Sequence, residues 1–213
     1  LTLLPFNNFM WQYEYYDSLA AFVLPSDSFV SDVLTRTREL LKHRTGESST
    51  EGYQSGPERV RIIANAIFDA LQSFNYSYSN PPAGLLGVGQ RIRTPSQIKS
   101  QSAATCLDST VLMAACFEEV GIHSVLFLIP GHAFCGYLTD DRVRGYIENE
   151  VAQGGVIRGS DNRQALSKLL LGGYIQPVET TTTTDGSAST FEDSCLKQNN
   201  FNVSANIQAI ESL

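Results

Sequence analysis

The sequence predicts an α+β domain in which helices pack against an antiparallel β-sheet. Three observations predict it. Apolar residues recur at helical spacing through the first half of the chain. Two runs rich in β-branched and apolar residues flank a Pro-Gly turn in the second half. The order is helices first, then strands with one inserted helix, and the 213 residues fit one domain spanning 1–213.

The chain opens with an aromatic stretch from Phe6 to Tyr16, which reads as an irregular segment packed across the surface or plugging a core edge. Pro25-Ser26-Asp27-Ser28 supplies helix-start chemistry, and Gly46 stops the helix that follows. A Gly/Ser/Glu-rich loop over 46–56 leads to Pro57, near the start of a second helix where a missing N–H costs nothing. Val60, Ile63, Ala64, Ile67, Phe68 and Leu71 give that helix a broad apolar face. Asn80 to Gly84 breaks the chain, and the stretch to Gln90 is expected as extended loop.

Thr94-Pro95 is a cap and first-turn pair for a short helix through about residue 101. Thr105 or a neighbour caps the next helix, which carries Leu107, Val111, Leu112, Ala115, Cys116 and Phe117 and ends at Gly121. Ile122 to Ile129 and His132 to Leu138 read as strands around the Pro130-Gly131 turn. Residues 139–160 carry no assignment, Asp161 is expected to cap a helix through Leu171, and Gly173 to Val178 reads as a further strand. The run Thr180 to Thr184 extends that strand or forms a loose loop.

Bulk chemistry excludes several functions. A net charge of −7 and a pI near 4.9 argue against nucleic acid or an anionic membrane as partner. No apolar run of about 18 residues marks a membrane span, and no basic-then-apolar leader is visible. The chain begins at Leu1 rather than Met, which implies an excised domain or a processed fragment. The four cysteines, Cys106, Cys116, Cys135 and Cys195, are widely spaced and form no CxxC pair. That spacing fits neither a disulfide framework nor a zinc site, and it implies free thiols in a reducing, cytoplasmic setting. No metal or other cofactor is expected, since His43, His123 and His132 are the chain's only imidazoles.

A catalytic thiol acts as a thiolate, and a helix N-terminus favours negative charge. Cys106 follows a loop and opens an apolar helix, so it is the candidate nucleophile, with the domain's fold placing it at a helix N-terminus. The competing reading is that a cysteine at a buried helix end is a packing residue. Such a nucleophile needs an imidazole held by a carboxylate or amide. His132 opens a strand after the Pro-Gly turn, and Glu179 ends the strand expected beside it. Cys116 and Cys135 read as core, and His43 and His123 as structural or solvated. Asp108 is either an acid near the site or an ordinary first-turn acid.

Thr105-Cys106-Leu107-Asp108, an apolar helix, Glu119-Val120-Gly121-Ile122 and His132-Ala133-Phe134 together resemble the core of the transglutaminase-like superfamily. Pro177-Val178-Glu179-Thr180-Thr181 is similar to that family's third motif, and Asn75-Tyr76-Ser77-Tyr78 resembles the extension that precedes its cysteine loop. The resemblance covers roughly residues 57–181. The run Gln90 to Pro95 is similar to a stretch of large bacterial proteins, which implies a bacterial source. The chain departs from the family in carrying Glu for Asp and in its long gap from His132 to Glu179, which an insertion over about 139–172 accounts for. Asp140 or Asp141 is the acid if that insertion is bounded differently.

What the resemblance implies is a papain-like fold and a Cys106–His132–Glu179 triad working through a thioester. The oxyanion would be held by the Cys106 backbone N–H with Gln90, or else Gln101, as side-chain donor. The leading expectation is a cysteine peptidase or amidase acting on a protein or peptide substrate. A transglutaminase, deamidase or other acyltransferase shares the triad. A silent module that binds a peptide or the other domains of a parent protein is the non-enzymatic alternative, with Trp11, Tyr13, Tyr15 and Tyr16 as its candidate interface.

Overall fold

Helix α4 (Cys106–Glu119) is the element around which the others are arranged, because it has almost no exposed face. Every residue from Cys106 to Phe117 is buried, and a helix buried on all sides belongs in a core rather than on a surface. The computed structural model describes residues 8–11, 13–81, 89–129, 131–147 and 159–199. Phe6, the Tyr13 side chain, Pro82 to Gly84 and Pro130 lie outside what it describes.

Helices α1 (Ser28–Thr45) and α2 (Pro57–Gln72) pack on each other and on α4. The Asp27 carboxylate accepts from the Phe29 N–H at 2.8 Å, capping α1. Gly46 closes that helix in the left-handed region at φ 81°, where its N–H donates to the Lys42 carbonyl. Phe29, Val30, Val33, Leu34 and Leu41 from α1 meet Ile63, Ile67, Phe68 and Leu71 from α2 in the main core. Full burial of each such side chain contributes about 1.5–3 kcal/mol, so this layer anchors α4 from one side.

On the other side lies a three-stranded antiparallel sheet of β5 (Ser124–Ile129), β6 (His132–Leu138) and β7 (Ile175–Val178), with β6 central. The hairpin register sets Ile129 opposite His132, and Cys135 stands opposite Val178. Alternation divides the sheet by face. Cys135, Tyr137 and Val178 join the α2–α4 core. Phe127, Phe134, Leu138 and Ile175 form a second core with Leu166 and Leu169. The second core is roofed by α5 (Arg142–Tyr146) and α6 (Gly159–Leu171), both between β6 and β7 in sequence. The chain is therefore α+β, with two helices rather than one set among the strands in the described residues. Helix α7 (Phe191–Asn199) packs on β7.

Several local expectations are corrected. The aromatic N-terminal stretch is ordered secondary structure: β1 (Asn8–Met10) pairs antiparallel with β3 (Gly89–Arg91), and a 3-10 helix spans Tyr13–Phe22. Phe9 is buried and packs edge-on to Trp11, Trp11 and Tyr16 lie partly buried against the same cluster, and Tyr15 is exposed. Asp161 does not precede α6, which begins at Gly159. The threonine run is neither strand nor loose loop. It is a 3-10 turn, Thr180–Thr183, held by buried hydroxyls. Short α3 (Pro95–Gln101) carries a capping box between Thr94 and Gln97. A two-residue parallel pair joins β2 (Ser77–Tyr78) to β4 (Ala103–Ala104).

No helix among the described residues is long and apolar enough to cross a membrane.

Gly136 on β6 shows how tightly the sheet is filled. An added Cβ would stand 2.8 Å from both the Gln176 carbonyl and the Phe127 ring. Gly136→Ala is expected to cost about 1–3 kcal/mol through overpacking, read as a lower urea midpoint with an unchanged m-value.

Candidate active site

Cys106 is the first residue of α4, and its position is set by the turn before it. The Thr105 hydroxyl accepts from the Asp108 N–H at 3.1 Å, and Asp108 Oδ2 accepts from the Thr105 N–H at 2.9 Å. This reciprocal capping box satisfies donors that the first helical turn leaves open. Asp108 is fully buried, and an unpaired carboxylate there would be costly. Arg93 answers it twice: its backbone N–H donates to Oδ1 and its guanidinium to Oδ2, each at 2.8 Å. Asp108 is thus a structural acid that fixes the turn carrying Cys106.

Gln90 adds a further tie. Its Nε2 donates to Thr105 Oγ1 at 3.2 Å, and its Oε1 accepts from the Trp11 indole N–H at 3.1 Å. The amide is buried beneath the Cys106 turn and braces it. Gln101, the other oxyanion candidate, is not brought to the site. It is exposed at the end of α3, and its Oε1 accepts from Arg93 Nε at 2.9 Å. The α3 capping box sets the phase of that helix and so turns Gln101 onto Arg93.

His132, at the start of β6, does meet Glu179 at the end of β7. Its Nε2 lies 2.9 Å from Glu179 Oε2. The antiparallel register of β6 and β7 brings these strand ends together across 47 residues of sequence. Cys106 is close enough to the same imidazole to be the first cause of its raised pKa. With Nε2 held by Glu179, Nδ1 is the nitrogen left for the thiol. Tyr78, at the end of β2, has its phenol pushed up first by burial and then by the nearby Cys106. The sequence motif around Tyr78 says nothing of this proximity, because the β2–β4 pairing behind it is not local.

The threonine run explains how Glu179 is held. Its Oε1 accepts from the Thr181 N–H at 3.0 Å and from the Thr181 hydroxyl at 2.7 Å, leaving Oε2 for His132. Thr180 Oγ1 contacts Thr110 Oγ1 at 3.2 Å, and Thr110 donates to the Cys106 carbonyl at 2.7 Å. The turn that follows Glu179 is therefore tied to the backbone of Cys106 through Thr110. Asp140 and Asp141 stand elsewhere: Asp140 pairs with Arg142, and Asp141 with His123 at 2.9 Å. His123 also stacks on Tyr53 and has a structural place.

The electrostatics follow this geometry. His132 is pushed up to about 10, first by its hydrogen bond with Cys106, then by that with Glu179, with burial opposing. Burial pushes the Glu179 carboxyl up, but His132 and the Thr181 donors outweigh it and hold it below the usual range. All four cysteines are free and buried. The Cys116 and Cys135 thiols are pushed up by burial, and Cys195 to about 12 for the same first reason. Among the described residues no group of three or more His, Cys, Asp or Glu side chains is placed to hold a metal.

No protein-family model, curated protein or solved structure matches this chain.

Two outcomes follow. Asp108→Ala leaves Arg93 facing a buried void and opens the capping box, so urea unfolding should show a loss of about 3–5 kcal/mol. A raised imidazole stabilises the fold fully below its ordinary value of 6.5 and loses that contribution as pH rises through about 10. A depressed carboxyl stabilises it above its ordinary value of 4.5 and loses that contribution in acid. The stability deficit of Glu179→Gln against the parent chain should therefore be greatest between pH 4.5 and 6.5 and shrink towards pH 10.

Proposed function

We propose that this chain is a cysteine hydrolase of amide bonds, a peptidase or amidase built on a papain-like, transglutaminase-like arrangement. The observation that carries the reading is a single line of partners: Glu179 to His132 to Cys106, with Cys106 opening a buried helix. A hydrogen-bonded carboxylate, imidazole and thiol at a helix N-terminus match the requirements of nucleophilic acyl transfer. The packing of α4 against an antiparallel sheet that supplies both base and acid supports the fold assignment.

His132 takes the Cys106 proton before substrate is attacked, and Sγ then adds to the substrate carbonyl carbon as the carbonyl π electrons move onto oxygen. Collapse of that tetrahedral species breaks the C–N bond, and the imidazolium returns the proton to the leaving amine. Water, deprotonated by His132, then attacks the thioester. Carboxylic acid leaves and the thiol is restored. Glu179 keeps the ring in one orientation and favours the imidazolium that forms in each half-reaction. The Cys106 backbone N–H is an oxyanion donor, since the first N–H groups of a helix have no partner within it. A protein or peptide is the substrate class, and four unpaired thiols support a reducing, cytoplasmic setting.

Iodoacetamide labelling across pH, with the label located by mass spectrometry, tests the assignment. Cys106 should react first of the four cysteines and well below pH 8. His132→Ala should slow it by about tenfold or more, because thiolate character governs the rate. Cys106 labelled no faster than a free thiol would remove the assembled site.

A further inference from the structure

Glu179 does two things with one carboxylate. It directly follows β7 as the cap of the Thr180–Thr183 turn, and it faces the His132 imidazole. Short acids usually fill a cap, because their carboxylate reaches back to the next N–H groups. Here a longer glutamate caps through Oε1, which accepts from the Thr181 N–H at 3.0 Å and from Thr181 Oγ1 at 2.7 Å. The carboxyl is held below its usual range, and an ionised carboxylate only accepts, so Thr181 is the donor in both bonds. Thr181 is itself anchored: its carbonyl accepts from the Thr184 N–H at 3.3 Å and from the Thr184 hydroxyl at 2.7 Å. Oε2 lies 2.9 Å from His132 Nε2, and the same reasoning puts the ring proton on Nε2. The neighbouring threonines send their hydroxyls elsewhere: Thr180 meets Thr110, Thr182 the Glu179 carbonyl and Thr183 the Thr180 carbonyl.

We propose that Thr181 is a positioning residue for the reaction: its hydroxyl sets the rotation of the Glu179 carboxylate that aims one oxygen at His132 Nε2. The proposal rests on the acyl-transfer reading above. With the carboxylate so held, the proton stays on Nε2 and the lone pair of Nδ1 is left for the thiol. When Nδ1 takes the Cys106 proton, the imidazolium is met by a carboxylate that cannot turn away. The Nδ1 proton passes on to the leaving amine, whereas the Nε2 proton stays in place throughout. Without the hydroxyl, Oε1 keeps the Thr181 N–H as a donor, but a single bond leaves the carboxylate able to rock about its last torsion. Orientation of the ring then loosens, and so does its preference for the charged form. Thr181 touches no reacting atom and acts through Glu179 alone.

A double-mutant cycle separates this role from a structural one. Thr181→Val removes the hydroxyl and keeps the branched shape and the N–H; Thr181→Ala removes it by a second route, and Thr181→Ser restores it. At pH 6, Thr181→Val and Thr181→Ala should slow iodoacetamide alkylation of Cys106 by about tenfold, the order expected for one lost hydrogen bond to a charged group. Thr181→Ser should keep the parent rate. In a Glu179→Ala chain, already slow, adding Thr181→Val should change the rate no further. The NMR midpoint of the His132 ring should fall in Thr181→Val and hold in Thr181→Ser. Parent-like rate and midpoint in Thr181→Val overturn the proposal. So does an equal further fall in the Glu179→Ala chain, or a fall that Thr181→Ser shares, since either would mean that residue 181 shapes the turn without aiming the acid. A parent Cys106 that alkylates no faster than a free thiol removes the acyl-transfer reading itself, and the Thr181 role with it.

Discussion

A carboxylate with no solvent exposure, Asp108, holds the first turn of α4, and the position of Cys106 depends on it. Buried charge is tolerated only when it is paired and fully hydrogen-bonded. Asp108 meets that demand with three donors, the Thr105 N–H and both the backbone and guanidinium of Arg93. In meeting it the chain fixes the approach of residues 89–95 to the helix start. Gln90 and Trp11 extend the same bracing outward. The helix itself has no freedom to slide, since it is buried along its length between α1, α2 and the sheet. Rigidity at a reacting atom is what orientation-dependent catalysis needs.

A second constraint acts from the sheet. Thr181 donates to one carboxylate oxygen of Glu179, and the other faces His132. Thr180 ties the following turn to Thr110, and Thr182 ties it to Ser194 on α7. Thr183 meets the buried Tyr76 hydroxyl. Four consecutive threonines are thus an anchored turn with a separate partner for each hydroxyl. Cys106 is reached from both sides, by the imidazole and through Thr110, and the functional groups sit where two independently packed layers meet.

Much of this was readable from the sequence because it rests on local chemistry. Thr105 with Asp108 is a capping signal, Pro-Gly marks the β5–β6 turn, and the apolar alternation marks the strands. The Cys106, His132 and Glu179 motifs occur in the order that an antiparallel sheet beside a helix can bring together. What escaped was non-local. The strand character of residues 8–10 needs β3, which lies far along the chain. The threonine turn needs Thr110, Ser194 and Tyr76. Gln101 is close to Cys106 in sequence, yet the phase of α3 turns it towards Arg93. Tyr78 is set beside Ala104, two residues before Cys106, by a parallel pairing of only two residues a strand, too short to leave a periodic trace.

The central claim is that thiol, imidazole and carboxylate form one proton-sharing unit. NMR titration of the His132 ring tests it most directly, following its carbon-bound protons in the intact chain and in Cys106→Ala. The account predicts a midpoint near 10 in the intact chain and a clear fall towards 6.5 when the sulfur is removed. An intact chain whose His132 titrates near 6.5, unmoved by loss of Cys106, would contradict it.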